Sequence, residues 1–467
     1  MPLVAGIDSS TQSTKVEVRD VESGRIVAGG RSAHPTVTPP CSEQDPQSWW
    51  HAFESAWDRA GRHEVTAISV GGQQHGMVAL DGDDAPVHPA KLWNDTESDS
   101  DAGWLIAQLG SAQAWAAAVG SVPGAAFTIT KLSWLHRTHP DAWRRIARVL
   151  LPHDYLTHRL TGAYTTDRGD ASGTGYWSAI DEDYRLDLLS IIDAERDWAS
   201  TVPTVLGPMD IAGEWGSSVV APGSGDNMAA ALGVGLRPGD VMISIGTSGT
   251  VSTVSPTPTS DPTGAVAGFA DATGRFLPLV CTSNAAKVLD AVRDLLDVDH
   301  DTFDRLALDA GPGGPVLLPY FDGERTPYRP AATGSITGLR TDVTREQFAR
   351  AAVDGVACGL LDGLDALGAA LGGDSGIDGR IVLVGGGARS AALRSVIAGL
   401  ADRDVILAEI DEAVATGAAV QAAAVSEQVD HGVIQQRWGL GDGAAVDGVD
   451  GGDVRERYAD FRDSTAG

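Results

Sequence analysis

The chain has 467 residues, a length that suits two or three domains better than a single core. Its 63 acidic and 34 basic residues give a formal net charge of −29 at pH 7, which repels polyanions and argues against nucleic acid as a main partner. No segment has the roughly 20 consecutive apolar residues of a membrane-spanning helix, so we expect no membrane association.

Two segments about half a chain apart share one pattern. Residues 4–7 are apolar, residues 8–14 are rich in hydroxyl side chains, and an alternating apolar stretch follows. Residues 241–245 lead in the same way into the Gly- and hydroxyl-rich residues 246–250. Each pattern predicts a β-hairpin. The repetition indicates a duplicated domain whose two hairpins face each other across a cleft, and two unrelated β-turns remain the alternative.

Helix and strand signals alternate along the first half. Asp45 is a capping residue ahead of Pro46, which predicts a helix start. The apolar residues that follow recur on one helical face, and they are Trp49, Phe53, Ala56, Trp57 and Ala60. Residues 65–70 read as a strand that ends at two glycines.

The second half continues the alternation. Thr344 and Gln347 predict a capping box at the start of a long helix, and residues 380–384 predict a buried strand. Ser390 begins a further predicted helix, whereas residues 256–264 look like a surface loop. Residues 426–453 are Gly- and Asp-rich and predict an irregular connection before a last short helix. The whole pattern predicts an α/β protein with mixed sheets.

The cysteines and the N-terminal residues favour a cytoplasmic location. Cys41, Cys281 and Cys358 are widely spaced and have no His residues at metal-binding spacing, so we interpret them as thiols of a reducing compartment. The opening residues have no basic segment before the apolar stretch and no cleavage site, so we expect no export.

The sequence has neither a P-loop nor the HRD and DFG motifs of protein kinases, so if ATP is used, the two hairpins and the Gly-rich turns must hold it. Asp8 ends the first strand, where a carboxylate can hold Mg²⁺ through water. An Asx-turn that only closes the hairpin is the alternative. The glycines of residues 246–250 permit close approach by a phosphate, and three glycines at 385–387 would let an adenine lie against the backbone.

Asp226 lies in a Gly-Asp-Asn turn ahead of small residues that predict a helix. One interpretation is an ordinary N-cap, which stabilises a helix start by accepting backbone hydrogen bonds. The other is a general base that accepts the proton of a substrate hydroxyl as its oxygen attacks phosphorus. The local sequence leaves both interpretations open.

Residues 71–76 place three hydrogen-bonding side chains among three glycines. Gln73, Gln74 and His75 offer donors and acceptors rather than charge, which suits a polyhydroxylated ligand. Trp93 adds an aromatic face beside polar groups, although a single Trp is more often part of a core. These residues predict a sugar site.

Segments along nearly the whole chain resemble the FGGY carbohydrate kinases, and most closely the members that phosphorylate D-xylulose. The matching segments are the Asp8 hairpin, residues 43–46 with Trp49 and Trp50, and residues 72–76, 92–95, 154–162, 170–174, 225–227, 246–249, 323–327 and 385–388. The resemblance implies two actin-like (ribonuclease-H-like) domains with mixed β-sheets flanked by helices and an interdomain cleft. It places the sugar-binding domain at residues 1–236 and the nucleotide-binding domain at residues 237–467.

The resemblance also implies an enzyme that transfers the γ-phosphoryl group of ATP to D-xylulose with Mg²⁺, and a homodimer. Asp226 corresponds to the catalytic base. The expected sugar-binding residues are Gln74, His75, Trp93, Asp226 and Asn227. The expected residues for the nucleotide and the metal are Asp8, Thr11, Gln12, Gly246, Thr247, Gly386 and Gly387, with Asp8 on the metal. Residues 323–327 are expected to have a structural role.

Three positions depart from the usual family pattern. Position 74 is Gln where the xylulose-phosphorylating members usually have Met, which alters the sugar contacts. Position 97 is Glu where Arg often follows Trp-Asn-Asp, so a local ion pair or sugar contact differs. Position 10 is Ser where Gly is usual, which would tighten the first phosphate turn.

The identity of the acceptor stays open at this point. Ribulose, gluconate and a deoxyketose are alternatives within the family, and the acidity of the chain argues mildly against the anionic gluconate. An ATPase of the actin or Hsp70 type without a sugar acceptor is disfavoured by residues 71–76 and 225–227. A catalytically silent sugar-binding relative is disfavoured by the presence of Asp8 and Asp226.

Overall fold

A computed structural model of the protein describes residues 2–373 and 377–465, and these residues form two units. The first unit contains the residues up to Gly235 together with residues 256–277 and 412–441. The second contains residues 236–255, 278–411 and those from Asp442 onward. Residues 256–277 and 412–441 thus group with the first unit, although they follow residue 236 in the chain.

The strands of the described residues are, in chain order, β1 (Leu3–Ser9), β2 (Ser13–Asp20), β3 (Ile26–Ala33), β4 (Glu43–Gln44), β5 (Ala67–Gly72), β6 (Val78–Leu80), β7 (Ala90–Lys91), β8 (Arg148–Leu150), β9 (Thr165–Asp167), β10 (Trp177–Ser178), β11 (Asp183–Tyr184), β12 (Thr204–Leu206), β13 (Gly213–Trp215), β14 (Ser218–Val220), β15 (Ser224–Gly225), β16 (Val241–Ile245), β17 (Gly249–Thr253), β18 (Val266–Ala270), β19 (Phe276–Thr282), β20 (Val316–Leu318), β21 (Ser335–Thr337), β22 (Ile381–Val384), β23 (Val405–Ala408) and β24 (Gly443–Ala445).

The helices are α1 (Pro46–Arg59), α2 (Asp99–Leu109), α3 (Ala112–Val119), α4 (Thr128–Thr138), α5 (Pro140–Arg145), α6 (Pro152–Thr161), α7 (Arg168–Ala171), α8 (Leu186–Leu189), α9 (Trp198–Thr201), α10 (Asp226–Gly233), α11 (Ala286–Leu295), α12 (His300–Asp309), α13 (Arg345–Ala370), α14 (Ala391–Leu400), α15 (Ala413–Glu427), α16 (His431–Arg437) and α17 (Val454–Ser464), with a 3₁₀ turn at Gly386–Arg389. None of these helices is long and apolar enough to span a bilayer.

The main sheet of the first unit has the order β13-β14-β5-β1-β2-β3, with β15 also paired to β5. Strands β1, β2 and β3 form an antiparallel meander. Strand β5 runs parallel to β1, β14 runs parallel to β5, and β13 closes the edge in the antiparallel direction. The sheet is therefore mixed, as predicted.

Six strands of the second large sheet repeat the order of the six strands in this path. Strands β16, β17 and β19 are antiparallel neighbours, and β22 and β23 follow in parallel on the other side of β16. Strand β24 closes the edge in the antiparallel direction. Both predicted hairpins are present, as β1–β2 and β16–β17. The common strand order supports a duplicated domain.

Helix α15 packs tightly into the first unit, although it lies far along the chain from β1 and β5. Its residues Ala419 and Val420 share a buried cluster with Val4 and Ala67. A methyl group on Gly417 of this helix would collide with the carbonyl oxygen of Ala229 in α10. The absence of a side chain therefore permits backbone-to-backbone contact, and this packing explains why residues 412–441 belong to the first unit.

The strong local signals of the sequence are confirmed. Asp45 caps α1, whose predicted apolar face is buried against the sheet. Thr344 and Gln347 form the capping box of α13, and Ser390 caps α14. The prediction of an irregular connection over 426–453 is wrong in part, because α16 and β24 lie within it.

Candidate active site

Three neighbouring parallel strands of the first unit end at the same edge of the sheet. Asp8 of β1 is aligned with Gly71 of β5, and Gly71 is aligned in turn with Ser224 of β15. The residues that follow these strands therefore lie side by side. The carboxyl ends of parallel strands are where α/β proteins bind their ligands. The register thus brings three of the predicted segments to one place: the Asp8 turn, residues 72–76 and residues 225–227.

Asp226 is the first residue of α10, and its N-cap is Gly225. The N-cap interpretation of Asp226 is therefore wrong. Its Oδ1 accepts a hydrogen bond from Asn227 Nδ2 at 2.9 Å, and the same nitrogen donates to Gln74 Oε1 at 2.6 Å. A methyl group on Gly225 would lie 2.7 Å from Gln74 Cγ, so the glycine permits this close packing. The structure brings Gln74, Asn227 and Asp226 together as one hydrogen-bonded row.

The Asp226 carboxyl has an unusual electrostatic environment. Loss of solvent around it and the negative charge of Asp8 together raise the pKa of Asp226 to about 7. Hydrogen bonds from its own backbone and from Asn227 act in the opposite direction without cancelling the shift. A carboxyl that titrates near neutral pH can accept a proton from an alcohol and release it again.

Asp8 is buried, with 2% of its surface exposed, and each of its oxygens has a partner. Oδ1 accepts a hydrogen bond from the Ser10 hydroxyl, and Oδ2 lies 3.1 Å from Lys15 Nζ. Lys15 also contacts Glu412 Oε2 at 2.5 Å. Because the charge of Asp8 reaches Asp226, two carboxylates face one region of the first unit. Their oxygen atoms suit a hydrated divalent cation such as Mg²⁺.

His75 adopts a left-handed backbone conformation with φ of 64°, which few residues other than glycine tolerate. Its backbone N–H donates to Asp170 Oδ1 at 3.4 Å. Its ring stacks on Phe127 at 5.3 Å between centroids and lies 5.2 Å from Phe269. The Cα of Gly173 also packs against this ring, since a methyl group there would overlap it. The turn is therefore held from several sides.

Trp93 lies beside the first predicted phosphate loop. Its Nε1 donates to Thr11 Oγ1 at 2.9 Å, and Thr11 Oγ1 donates to Gln73 Oε1 at 3.2 Å. The structure thus joins Thr11 to two residues of the predicted sugar site. Gln12, the next residue of the loop, is exposed.

A fully buried lysine explains the departure at position 97. Lys91 Nζ lies 2.7 Å from Glu97, 2.9 Å from Glu43 and 3.0 Å from Asp95, and it sits 3.8 Å above the ring of Trp134. Glu97 therefore forms a local ion pair within the segment that carries Trp93. Lys91 was not predicted, although a lysine four residues before Asp95 is a sequence signal for such an ion pair.

A second buried charge cluster was also missed. His153 has no exposed surface, and its Nε2 lies 3.1 Å from Asp167, 3.2 Å from Asp154 and 3.5 Å from Asp170. Two of these aspartates belong to segments that carried the family resemblance. The sequence did not reveal the cluster, because the three aspartates that surround His153 lie in three different elements, α6, β9 and α7.

The second unit brings its own predicted ligand loops together. Ser244 of β16 is aligned with Val384 of β22, so the turn at Gly246 and Thr247 neighbours the glycines at 385–387. Gly246, Thr247 and Gly386 are exposed. Within the described residues, nothing lies within 4 Å of the position that a Gly386 side chain would take, whereas Gly387 packs on Ile245. Exposed backbone of this kind suits phosphate and adenine binding.

Residues 323–327 are held by hydrogen bonds within the second unit. Both Glu324 oxygens are engaged, by the Ser283 N–H at 2.5 Å and by Asn284 Nδ2 at 2.9 Å. These bonds connect the residues after β19 to the loop that follows β20 in the same unit.

Two α/β units of common strand order, one with carboxylates at its strand ends and the other with exposed glycine-rich turns, have the architecture of the actin-like fold. The N-terminal-domain model of the FGGY family of carbohydrate kinases matches residues 3–233, and the C-terminal-domain model matches residues 241–426. The chain therefore belongs to the FGGY family of carbohydrate kinases, and it is an ATP-dependent enzyme.

Within this family, the chain is similar to several xylulose kinases. The chain is 45% identical over 461 residues to the xylulose kinase of Streptomyces coelicolor. The aligned residues cover 96% of this chain and 93% of that protein. The xylulose kinase of Streptomyces rubiginosus is 44% identical over the same length and coverage. The crystal structure of xylulose kinase from Bifidobacterium adolescentis superimposes with a TM-score of 0.86 at 41% identity, covering 99% of both chains.

Proposed function

We propose that this protein transfers the γ-phosphoryl group of ATP to D-xylulose and releases D-xylulose 5-phosphate and ADP. Identities of 41% to 45% with xylulose kinases over nearly the full length support this substrate. The observation that carries the chemistry is the row of Gln74, Asn227 and Asp226, which presents a carboxyl of pKa about 7 beside uncharged hydrogen-bonding groups.

Asp226 is the proposed general base. Its ionised carboxylate accepts the proton of the C5 hydroxyl while that oxygen forms a bond to the γ-phosphorus and the bond to the ADP oxygen breaks. The proton rests on Asp226 and passes to solvent after the product leaves. Base assistance of this kind contributes about 10²–10⁴ in rate.

Gln74 and His75 are the proposed sugar-binding residues, together with Trp93 and Asn227. Gln74 uses its oxygen to accept from Asn227, and its Nε2 has no hydrogen-bond partner among the described residues. This buried donor is therefore available to a ketose hydroxyl. An unmet buried donor costs free energy, and a ligand oxygen would remove that cost.

Asp8 is the proposed ligand of Mg²⁺, held through water. When bound, Mg²⁺ neutralises charge on the phosphate oxygens. The protein side of this arrangement is a carboxylate fixed by Ser10 and Lys15. Thr11 and Gln12 follow Asp8 in the same hairpin turn and are proposed to contact the phosphates.

The second unit is proposed to hold the rest of the nucleotide. Gly246 and Thr247 would donate backbone and hydroxyl hydrogen bonds to phosphate oxygens. Gly386 and Gly387 would lie against the adenine, because the exposed face of this turn carries no side chain there.

A sugar panel tests the proposal. ADP release should be measured with D-xylulose, D-ribulose, gluconate and a deoxyketose, with Asp226→Asn as the matched inactive variant. We expect the highest kcat/KM with D-xylulose and a loss of about 10²–10⁴ in kcat for Asp226→Asn. A higher kcat/KM for another sugar would refute the substrate, and near-normal turnover in the variant would remove Asp226 from the mechanism.

A further inference from the structure

The cluster of His153, Asp154, Asp167 and Asp170 lies outside the row of residues that the proposed mechanism uses. His153 is the second residue of α6, Asp167 ends β9, and Asp170 lies in α7. None of the four is more than 3% exposed. A single imidazole therefore faces three carboxylates in a region without solvent.

Burial makes the positive charge on His153 necessary. Three carboxylates removed from water repel one another and are strongly destabilising unless a cation or a proton compensates them. Burial by itself would lower the pKa of His153, but the charges of Asp154, Asp167 and Asp170 outweigh it and raise that pKa to about 9. Burial also raises the pKa of Asp154 to about 6 and that of Asp170 well above its usual value.

Two of the carboxylates have local structural duties. Asp154 Oδ2 accepts the Leu151 N–H at 2.7 Å and closes the first turn of α6. Asp167 is the N-cap of α7 and accepts from Gly169 and from Asp170. Asp170 instead reaches out of its own helix, because its Oδ1 accepts the backbone N–H of His75. Asp170 is thus the member of the cluster that contacts the sugar-binding turn.

His153 reaches the same region by packing. A methyl group on Gly72 would lie 2.8 Å from His153 Cβ, and one on Gly223 would lie 2.6 Å from His153 Nδ1. Gly72 directly precedes the turn of residues 73–76, and Gly223 lies two residues before the Gly-Asp-Asn turn that carries Asp226. His153 therefore packs against the backbone that enters both parts of the site, with its Cβ and backbone at Gly72 and its imidazole at Gly223.

We propose that His153 and Asp170 are positioning residues for the acceptor sugar. His153 packs against Gly72 and Gly223, Asp170 accepts the His75 N–H, and the 3.5 Å contact between His153 Nε2 and Asp170 Oδ2 links the two, so that Gln74, His75 and Asp226 meet the sugar in one geometry. The inference rests on the proposed function in so far as the acceptor is D-xylulose. It assigns neither residue a contact with the sugar or with the phosphoryl group.

Kinetics with both substrates test the proposal. His153→Gln keeps the size of the side chain but leaves three carboxylates without a cation. We expect the KM for D-xylulose to rise on the order of tenfold to hundredfold, the size of the loss when residues that orient metal ligands are replaced. The KM for ATP should stay within twofold of the wild-type value. His153→Lys restores the cation and should recover most of the loss. Equal changes in both KM values, or no recovery with Lys, would overturn the proposal.

Substitutions at Asp170 provide a second test, in which the change to the buried cluster is smaller. Asp170→Asn keeps an oxygen that can accept the His75 N–H, whereas Asp170→Ala removes it, so the KM for D-xylulose should rise more in the Ala variant. Asp354→Asn is the matched control, because Arg350 and Asp354 form a buried pair at 2.6 Å in the second unit. This control should lower the melting temperature without changing the KM for D-xylulose. A rise in that KM equal to the one in Asp170→Ala would contradict a positioning role.

Hydrogen–deuterium exchange separates this inference from the identity of the sugar. In the protein without any sugar, His153→Gln should speed amide exchange at residues 72–76 and 223–227, and Asp354→Asn should not. Unchanged exchange there would refute the positioning role whatever the substrate. If the wild type does not phosphorylate D-xylulose but the exchange changes as expected, the proposed function fails and the positioning role stands.

Discussion

Asp8 lies in β1 and Asp226 begins α10, and the charge of Asp8 acts on the carboxyl of Asp226. The charge of Asp8 is the second cause, after loss of solvent, of the raised pKa of Asp226. A base at pKa about 7 is half ionised near neutral pH, where proton acceptance is most efficient. The residue next to Asp226 contributes as well, because Asn227 holds its Oδ1 and thereby fixes the direction of the other oxygen.

The pH profile follows from this pair. Asp226 must be ionised to accept a proton, so kcat/KM should fall as the pH drops below about 7, the value to which its pKa is raised. Asp8→Asn removes one of the two causes of the shift. The acidic limb of its residual activity should therefore move to lower pH, and this is measured as kcat/KM for D-xylulose between pH 5 and pH 9.

Asp354→Asn, a change in the second unit that is not among the causes of the Asp226 shift, should keep the wild-type acidic limb. If the acidic limb of the pH profile has the same midpoint in Asp8→Asn as in the wild type, the charge of Asp8 does not act on the group that titrates. A limb that moves to higher pH would contradict the sign of the interaction.

At the scale of elements, the sequence predicted the helices and turns that are specified by a few neighbouring residues. The caps at Asp45 and Thr344 and the glycine turns after β5 and β22 each need only a few neighbouring residues. Helix α16 was missed because it is a short helix inside a Gly- and Asp-rich stretch, where the turn signals outweigh a weak helical period. The pairing of β24 with β23 could not be predicted either, since it depends on partners more than thirty residues apart.

The contact between α10 and α15 yields a stability prediction. Gly417→Ala would press a methyl group onto the carbonyl of Ala229, and neither backbone can move without shifting its helix. We expect a loss of about 1–3 kcal/mol in the free energy of unfolding, the usual cost of overpacking a tight core. Urea denaturation measures it.

Gly103→Ala is the matched control, because Gly103 lies in α2, is exposed, and has nothing within 4 Å of its missing side chain among the described residues. At position 103 the same substitution should raise the free energy of unfolding by about 0.4–1 kcal/mol, because alanine lowers the conformational entropy of the unfolded chain. Equal effects of the two substitutions would argue that α10 and α15 are not in backbone contact.

At the scale of the whole molecule, the repeated sheet was predictable because each copy begins with a hairpin that is legible in the sequence. The grouping of the candidate site was predictable only through family resemblance. Parallel pairing of β1, β5 and β15 brings together residues 8, 72 and 225, which are far apart in the chain. The charge clusters around Lys91 and His153 were not predicted, since burial decides their importance and burial depends on the complete fold.

The two units also carry a prediction about how binding is divided. If sugar contacts reside in the first unit and adenine contacts in the second, single substitutions should change one KM and not the other. Gly386→Ala adds a methyl group that meets no atom of the described residues within 4 Å, so it leaves the loop intact and obstructs only a ligand that lies against the glycine. We expect the KM for ATP to rise on the order of tenfold, with the KM for D-xylulose within twofold.

Gln74→Ala is the complementary variant, because it removes the buried donor that we assign to the sugar and leaves the second unit unchanged. Its KM for D-xylulose should rise by a factor on the order of tenfold, the value of one hydrogen bond to an uncharged partner, while its KM for ATP stays within twofold. Steady-state kinetics with each substrate varied at saturation of the other measures all four constants. If Gly386→Ala leaves the KM for ATP unchanged, the adenine does not lie on this turn. If either variant shifts both constants equally, the two units do not divide the substrates in this way.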